Sequence, residues 1–429
     1  MTTWRNWART AEGRPVKVAT PDSAQEVSAL IAEAATRGVD IRMVGAGHSF
    51  TATAATNGVL LRPDQLTGVS RVDDSHVKVR AGTTLTDLCH ALDDLGLALP
   101  NMGDIRVQTL AGATATGTHG TGRRFASLAS GITALELVLA DGSVTRVDAD
   151  TEPELFESAR VGLGAFGIIT AIELEVVPAF VLQAHEFPST LSETLARFDE
   201  WENTHDHVEF YWFPHTDKTL VKQNDRTDGP AEPLSGLRAW WDDEFLSNTL
   251  FGAVCRAGRS APKIVPLLNR VSGSALSERS YADTSWKVFT SPRRVRFAEM
   301  EYALPRAALK PALTELNRLI ENGDDEVSFP VEVRTGPAEP GWLALAHDRD
   351  TVYVATHMFQ RVPYERFFAQ VEDLWRQHDG RPHWGKLHTR TAEEFEGMYP
   401  RFDTVTKVRD RVDPERRFTN EYLARVLGD

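Results

Sequence analysis

Cysteine is nearly absent: Cys89 and Cys255 stand far apart and outside any C-x-x-C context. A disulfide framework, a structural zinc site and an iron–sulfur cluster therefore have no support. Long apolar runs are missing as well, none approaching the roughly 18 residues a membrane span needs. The opening residues Met1-Thr-Thr-Trp-Arg-Asn-Trp7 lack the apolar stretch of a secretory leader, so a soluble cytoplasmic protein is expected. Basic residues are in deficit, 47 Lys and Arg against 61 Asp and Glu, a formal net charge of −14. That balance argues against nucleic-acid binding, which needs a basic footprint. What remains is ordinary for a globular protein, with 41% hydrophobic and 25% charged residues. At 429 residues the chain exceeds one typical core.

The first 180 residues alternate helix and strand signals closely. Asp22 and Ser23, with Glu26 three residues on, form a capping-box start, and Val27, Leu30, Ile31 and Ala34 recur at helical spacing up to Gly38. Ile41–Val44 and Val59–Leu61 are short apolar strands, and His76–Arg80 alternates with period two. A helix is expected over 84–95, a hairpin around Asp141-Gly142, and an alternating strand from Ile168 to Val177. Beyond about 180 the texture changes. Helical stretches at 189–203, 306–322 and 364–377 are interleaved with the strands Phe329–Arg334 and Thr351–Met358, and 224–236 reads as a surface loop. The fold class is α+β with a domain boundary near 180, not a doubly wound parallel sheet.

Glycine clusters carry the first chemical signal. Gly162-Leu-Gly-Ala-Phe-Gly167 matches G-x-G-x-x-G, but a helix precedes it and a strand follows, the reverse of a dinucleotide-binding turn. Gly45-Ala-Gly-His48-Ser-Phe50 is more informative, because a strand ending in a glycine-rich turn presents backbone N–H groups suited to a pyrophosphate. Taken alone, His48 is more commonly a polar turn residue. A second cluster, Gly112-Ala-Thr-Ala-Thr-Gly-Thr-His-Gly-Thr-Gly122, adds hydroxyl and backbone donors, so several loops point to one large diphosphate-bearing cofactor. Farther on, the alternation in Phe329–Arg334 puts Val331 and Val333 on one face and Glu332 and Arg334 on the other. An exposed ion pair of little energetic consequence is the ordinary reading of such a pair. Lys386 would ordinarily face solvent, and His383 and His388 lack a third ligand for a metal.

The loop at 45–50, the Ala-Gly-Ala run and Gly-Thr-His-Gly at 111–120, and Gly-Ala-Phe-Gly-Ile-Ile at 164–169 resemble the FAD-binding domain of the vanillyl-alcohol-oxidase superfamily. Together with Phe329–Arg334, Arg381-Pro-His-Trp-Gly-Lys386 and Asp413-Pro-Glu-Arg-Arg-Phe-Thr-Asn420, they resemble the aldonolactone oxidoreductases and the related alditol oxidases. The resemblance implies an FAD-binding domain over 1–180 and a substrate-capping domain of antiparallel sheet and helices over 181–429, whose C-terminal segment returns to the flavin. It implies a covalent bond from His48 to the flavin. Cofactor contacts would come from Val44, Gly45, Ala46, Gly47, Ser49 and Phe50, from Gly103, Asp104 and Thr109, and from Gly112, Ala113, Thr116, Gly117, Thr118, His119 and Gly120. Gly167, Ile168 and Ile169 complete that set, with Lys386 at the catalytic end.

Glu332, Arg334, Lys386 and His357 would surround the substrate, a carboxylate or lysine taking the hydroxyl proton. The implied reaction is oxidation of a sugar 1,4-lactone at C2, giving ascorbate or an analogue. An alditol oxidase acting on C1 of a polyol and producing hydrogen peroxide is the alternative, and a flavin-free binding protein is a third possibility. The acceptor would be dioxygen, a cytochrome or a quinone. Gly103 aligns with a small gatekeeper that leaves room for dioxygen, and Asp104 stands where alditol oxidases tend to have serine, which favours a lactone.

Overall fold

A computed structural model of the chain describes residues 3–236, 251–291 and 293–429. Ser23 caps the helix Ala24–Thr36 by accepting from the Glu26 amide. The Glu26 carboxylate reaches back to the Asp22 amide rather than to Ser23's own, so the expected capping box is displaced by one residue. On the inner face of this helix Val27, Ile31 and Ala34 pack with Ile41, Val59, Leu61 and Ile168. Strands Lys17–Ala19, Val59–Leu61 and Ile41–Met43 form a small parallel sheet with Val59–Leu61 in the middle.

A five-stranded antiparallel sheet stands beside it. Its edge is the hairpin Ile132–Val138 and Val144–Asp148, and Ile168–Glu175, His76–Arg80 and Val69–Arg71 follow in order. Gly142 turns the hairpin with φ at +84°, a conformation only glycine adopts without strain. The helices Leu85–Asp94 and Pro153–Arg160 fall where the apolar spacing placed them.

The remaining large sheet has eight strands, all antiparallel. Their order is Arg279–Thr284, Val181–Thr190, Lys218–Thr227, His207–Trp212, Val331–Gly336, Thr351–Phe359, Phe297–Pro305 and Arg381–Pro382. One face is apolar. Val208, Phe210, Trp212, Met300, Tyr302, Val331, Val333, Val352 and Val354 pack there against residues of the helices Leu191–Thr204, Leu309–Asn322 and Glu365–Gln377. The residues between them, at the opposite parity, form the other face: Glu209, Tyr211, Glu299, Glu301, Glu332, Arg334, Tyr353, Ala355 and His357. This face is also buried, so its charges must find partners in the protein.

Several boundaries differ from the sequence reading: the strand expected over Phe329–Arg334 runs Val331–Gly336, and the one expected from Ile168 to Val177 ends at Glu175. The expected loop at 224–236 begins only after Thr227, because Asn224 is paired on both sides, to Ala184 and to His207. The helix expected over 306–322 opens with a 3-10 turn, Arg306–Ala308, before the α-helix proper. The C-terminal segment closes on the first part of the chain. The Ile41 amide donates to Arg417 O, Phe418 packs in the core with Val27 and Ile41, and Asn420 Nδ2 donates to the carbonyls of Ala52, Thr53 and Ala55. Among the described residues no helix is long and apolar enough to cross a membrane.

Candidate active site

The glycine loops converge on one groove. Val44, Gly45, Ala46, Gly47, His48 and Ser49 form one wall, Thr109, Gly112 and Thr116 another, and Gly167, Ile168 and Ile169 the end. The walls are close: a Cβ on Gly45 would stand 2.0 Å from Thr109 Oγ1. Gly47 and Gly167 hold φ at +69° and +142°, which presents their backbone to the groove without strain. A narrow channel lined by backbone amides and threonine hydroxyls fits a diphosphate and its flanking groups. Thr116 and His48 carry the groove into a second chamber with Phe50, Gly103, Asp104, Thr118, His119 and Lys386. Asp104, Glu301, Arg334 and Lys386 then open it into a third, floored by the polar face of the large sheet, where Glu332 and His357 stand with Tyr211, Arg293 and Glu299.

Sheet register builds that floor. Glu332 sits directly opposite Tyr211 on one side and Ala355 on the other, Ala355 pairs with Glu301, and His357 pairs with Glu299. The turn carrying Lys386 lies across the same strand, since the amides of His383 and Leu387 donate to the carbonyls of Glu301 and Glu299. The Phe50 amide donates to Gly385 O at 2.6 Å, which ties the His48 loop to the Lys386 turn.

The charges pair closely. Arg334 contacts Glu332, donates from Nε to Glu209 Oε2 at 2.8 Å and approaches Asp104 at 3.9 Å. Arg293, about a third exposed (37%), holds Asp104 at 2.7 Å. Lys222 holds Glu209 at 3.0 Å. Lys386 Nζ lies 2.5 Å from Glu299 and 3.9 Å from Glu301, and His119 Nε2 lies 2.6 Å from Glu301.

Burial opposes ionisation of every carboxylate here, yet for most of them the cations prevail. Arg293 and Arg334 keep Asp104 below its ordinary value, Lys222 and Arg334 take Glu209 down to about 2, and Lys386 and His119 keep Glu299 and Glu301 low. Glu332 goes the other way. Burial raises its pKa, and the negative neighbours Asp104 and Glu209 add to the rise against Arg334. Burial would lower Lys386, but Glu299 and Glu301 raise it, so it stays an ammonium. His48 is depressed to about 4 by burial and then by Lys386, which leaves a neutral ring at pH 7, stacked on Trp7 at 5.2 Å between centroids.

Most residues singled out from the sequence reach the groove, while Ala113, Gly117 and Gly120 do not line it. Ala113 lies in the core. Gly117 packs toward Val161 and Leu345, and a Cβ on Gly120 would stand 2.3 Å from Asn101 Oδ1 and Met102 O. His383 and His388 do not converge: His388 meets the Tyr422 hydroxyl at 2.9 Å, whereas His383 joins His119 and Glu301. Their ligand atoms lie within 4.8 Å of one another, with His119 and Glu301 already hydrogen-bonded. Glu209, Tyr211, Glu299 and Glu301 went unread in the sequence. The two-residue spacing in His207–Trp212 and Phe297–Pro305 is the same signal that exposed Glu332 and Arg334. Arg293 carries no such periodicity.

Residues 172–426 match the D-arabinono-1,4-lactone oxidase family, and residues 15–148 match the FAD binding domain. The chain belongs to the D-arabinono-1,4-lactone oxidase family. It is an FAD-dependent oxidoreductase acting on CH–OH donors. A Mycobacterium tuberculosis protein named L-gulono-1,4-lactone dehydrogenase is 39% identical over 99% of both chains. The Bos taurus protein named L-gulonolactone oxidase is 33% identical over 99% of this chain and 98% of its own. Among solved structures, cholesterol oxidase from B. sterolicum superposes with a TM-score of 0.84 over 99% of this chain and 96% of that one. At 18% identity this speaks to the fold, the two-part FAD-binding α+β architecture expected from the sequence.

Proposed function

We propose that this member of the family oxidises C2 of an aldono-1,4-lactone of the L-gulono or D-arabinono type, with its FAD bonded to His48. Residues 1–180 hold the cofactor and 181–429 close over the substrate. Bound FAD supplies the hydride acceptor, flavin N5. The carrying observation is the exceptional state of Glu332 in the chamber that continues from the His48 groove: its neighbouring carboxylates are held ionised, while its own affinity for a proton is raised.

A carboxylate with raised pKa is matched to accept the proton of the C2 hydroxyl as the hydride leaves. The Tyr211 hydroxyl lies 3.2 Å from both Glu332 Oε1 and Glu209 Oε1, and Arg334 grips the same Glu332 oxygen, so the acceptor is fixed in place. Lys386 stays cationic and therefore acts as a donor, steadying the oxygen on which negative charge grows. Release of the 2-keto lactone lets it tautomerise to ascorbate or an analogue. The neutral His48 ring retains a lone pair, the state a nucleophile needs to join the flavin.

Anaerobic mixing with a panel of aldonolactones and alditols tests this reading. Bleaching of the flavin by lactones is expected. Bleaching by polyols alone would select the alditol reaction, and bleaching by neither would overturn both.

A further inference from the structure

Around the substrate chamber most carboxylates are matched by cations. Among the described residues Asp104, Glu209 and Glu332 are met by Arg293, Lys222 and Arg334. Glu299 and Glu301, neighbours on one face of Phe297–Pro305, share a single lysine: Lys386 Nζ lies 2.5 Å from Glu299 Oε2 and 3.9 Å from Glu301 Oε2. Two carboxylates against one ammonium would leave an excess negative charge beside the cofactor groove.

Two histidines stand against these glutamates. His119 Nδ1 faces Gly120 O at 2.9 Å, and its Nε2 faces Glu301 Oε1 at 2.6 Å. His357 Nδ1 faces Pro330 O at 3.1 Å, and its Nε2 lies 3.4 Å from Glu299 Oε1. A carbonyl oxygen only accepts, so each Nδ1 carries a proton. Each Nε2 then meets a carboxylate oxygen, and a second proton must lie between them, or two lone pairs would face each other. However that proton is shared, each histidine–glutamate pair is neutral as a unit. Tyr353 stacks on the His119 ring at 3.6 Å between centroids and Phe297 meets His357 edge-on at 5.0 Å, which holds both rings in place. His383 is the contrast. Its Nδ1 accepts from the Gly385 amide at 3.0 Å and burial takes its pKa down to about 3, so the ring is neutral with its one proton on Nε2. With no free lone pair on His119 or His383, the cluster of His119, Glu301 and His383 holds protons rather than a metal ion.

We propose that His119 and His357 are positioning residues that leave the charge of Lys386 uncancelled and thereby favour the reduced flavin. The inference rests on the reading that FAD fills the His48 groove, with its ring in the chamber lined by His48, His119 and Lys386. A hydride brings two electrons and one proton, so the flavin gains one negative charge on reduction. With both glutamates neutralised by their histidines, Lys386 sets one unopposed positive charge beside it, in a buried site where water screens little. Loss of either histidine lets one glutamate cancel Lys386, and loss of both reverses the sign. Neither histidine has a ring nitrogen left for substrate, so their effect passes through Glu301, Glu299 and Lys386.

The test uses the holoenzyme at mildly alkaline pH, where an unpartnered carboxylate stays ionised. The flavin is photoreduced anaerobically beside a reference dye of known potential, so that no lactone is required. His119→Gln is expected to shift the flavin–dye equilibrium about tenfold toward oxidised flavin, about 30 mV for a two-electron couple. His357→Gln should shift it in the same direction, and it decides the matter alone if His119→Gln does not fold. Lys386→Met should lower the potential too. Combining His119→Gln with Glu301→Gln removes a neutral pair, so the equilibrium should return to the native one. A double variant as displaced as His119→Gln alone would show that the ring acts by shape, and overturns the proposal. So do native potentials in both histidine variants when that of Lys386→Met is lowered. If Lys386→Met is native as well, the flavin ring does not sit in this chamber, and the groove reading falls with the proposal. Failure of every lactone to reduce the flavin would defeat the substrate assignment and leave these potentials intact.

Discussion

Lys386 Nζ lies 2.5 Å from Glu299 Oε2, and this ion pair decides what the lysine can do. Burial pushes a lysine toward neutrality, whereas Glu299 and then Glu301 hold this one charged above its ordinary range. Lys386→Met should therefore slow flavin reduction by about 10²–10³-fold, the usual cost of losing one donor to developing negative charge. In Glu299→Gln the main cause holding the pKa up is gone, so the alkaline loss of activity moves to lower pH. Stopped-flow reduction rates across pH measure both, and an unchanged alkaline limb in Glu299→Gln would remove the coupling.

Glu332 sets the acidic side of the same profile. Its pKa is raised by burial and by Asp104 and Glu209, and a base must be ionised to accept a proton. The rate of flavin reduction should therefore rise with pH through a midpoint above the ordinary carboxylate range. Glu332→Gln should lower that rate by about 10²–10⁴-fold and flatten the ascending limb. A variant that kept the limb would assign it to another group.

For His48, acid precipitation gives the direct answer. The pellet of the native protein is expected to stay yellow, and that of His48→Ala to release its flavin. Trp7 stacks on the ring, so Trp7→Ala, which leaves the imidazole in place but unsupported, should bind the flavin with a smaller covalent fraction. Denaturing gels viewed by flavin fluorescence measure that fraction.

Gly103 bears on the electron acceptor. A Cβ there would stand 3.0 Å from His119 O and 3.4 Å from Thr118 Cγ2, tight but open to a shift of a few tenths of an ångström. Gly103→Ala should slow reoxidation by dioxygen while sparing flavin reduction by lactone. Equal slowing of both would mean that the methyl group disturbs the flavin itself.

Much of this was legible in the sequence for a physical reason. Strand periodicity is local, so Glu332 and Arg334 could be put on one face of Val331–Gly336 from six letters. The partners that change their chemistry are not local. Glu209 and Asp104 lie more than a hundred residues away from Arg334, and only strand order and the docking of the 101–105 loop bring them together. The raised pKa of Glu332 was invisible for that reason. Ala113, Gly117 and Gly120 show the converse: glycine and alanine at close-packed positions look in sequence like residues that face a ligand.

Arg42 shows how the groove is held in shape. Its guanidinium is buried and donates to four carbonyls, Gly164 O at 2.8 Å, Leu163 O at 2.5 Å, Thr53 O at 2.7 Å and Phe418 O at 3.0 Å. These belong to the loop after Pro153–Arg160, the turn after His48 and the returning C-terminal segment, so one side chain ties two lining segments of the groove to the C-terminal segment behind it. Burial lowers its pKa to about 9, still high enough for full charge at pH 7. Arg42→Met keeps the volume but strands four buried acceptors, at a cost of about 3–5 kcal/mol. For a chain of this length that corresponds to a fall in Tm of roughly 3–6 °C. Because the lost contacts are shielded from solvent, the fall should be the same at low and high salt. FAD retention should also fall, since Leu163 and Gly164 line the groove. A melting curve matching the native one would show that the three segments are held by other contacts.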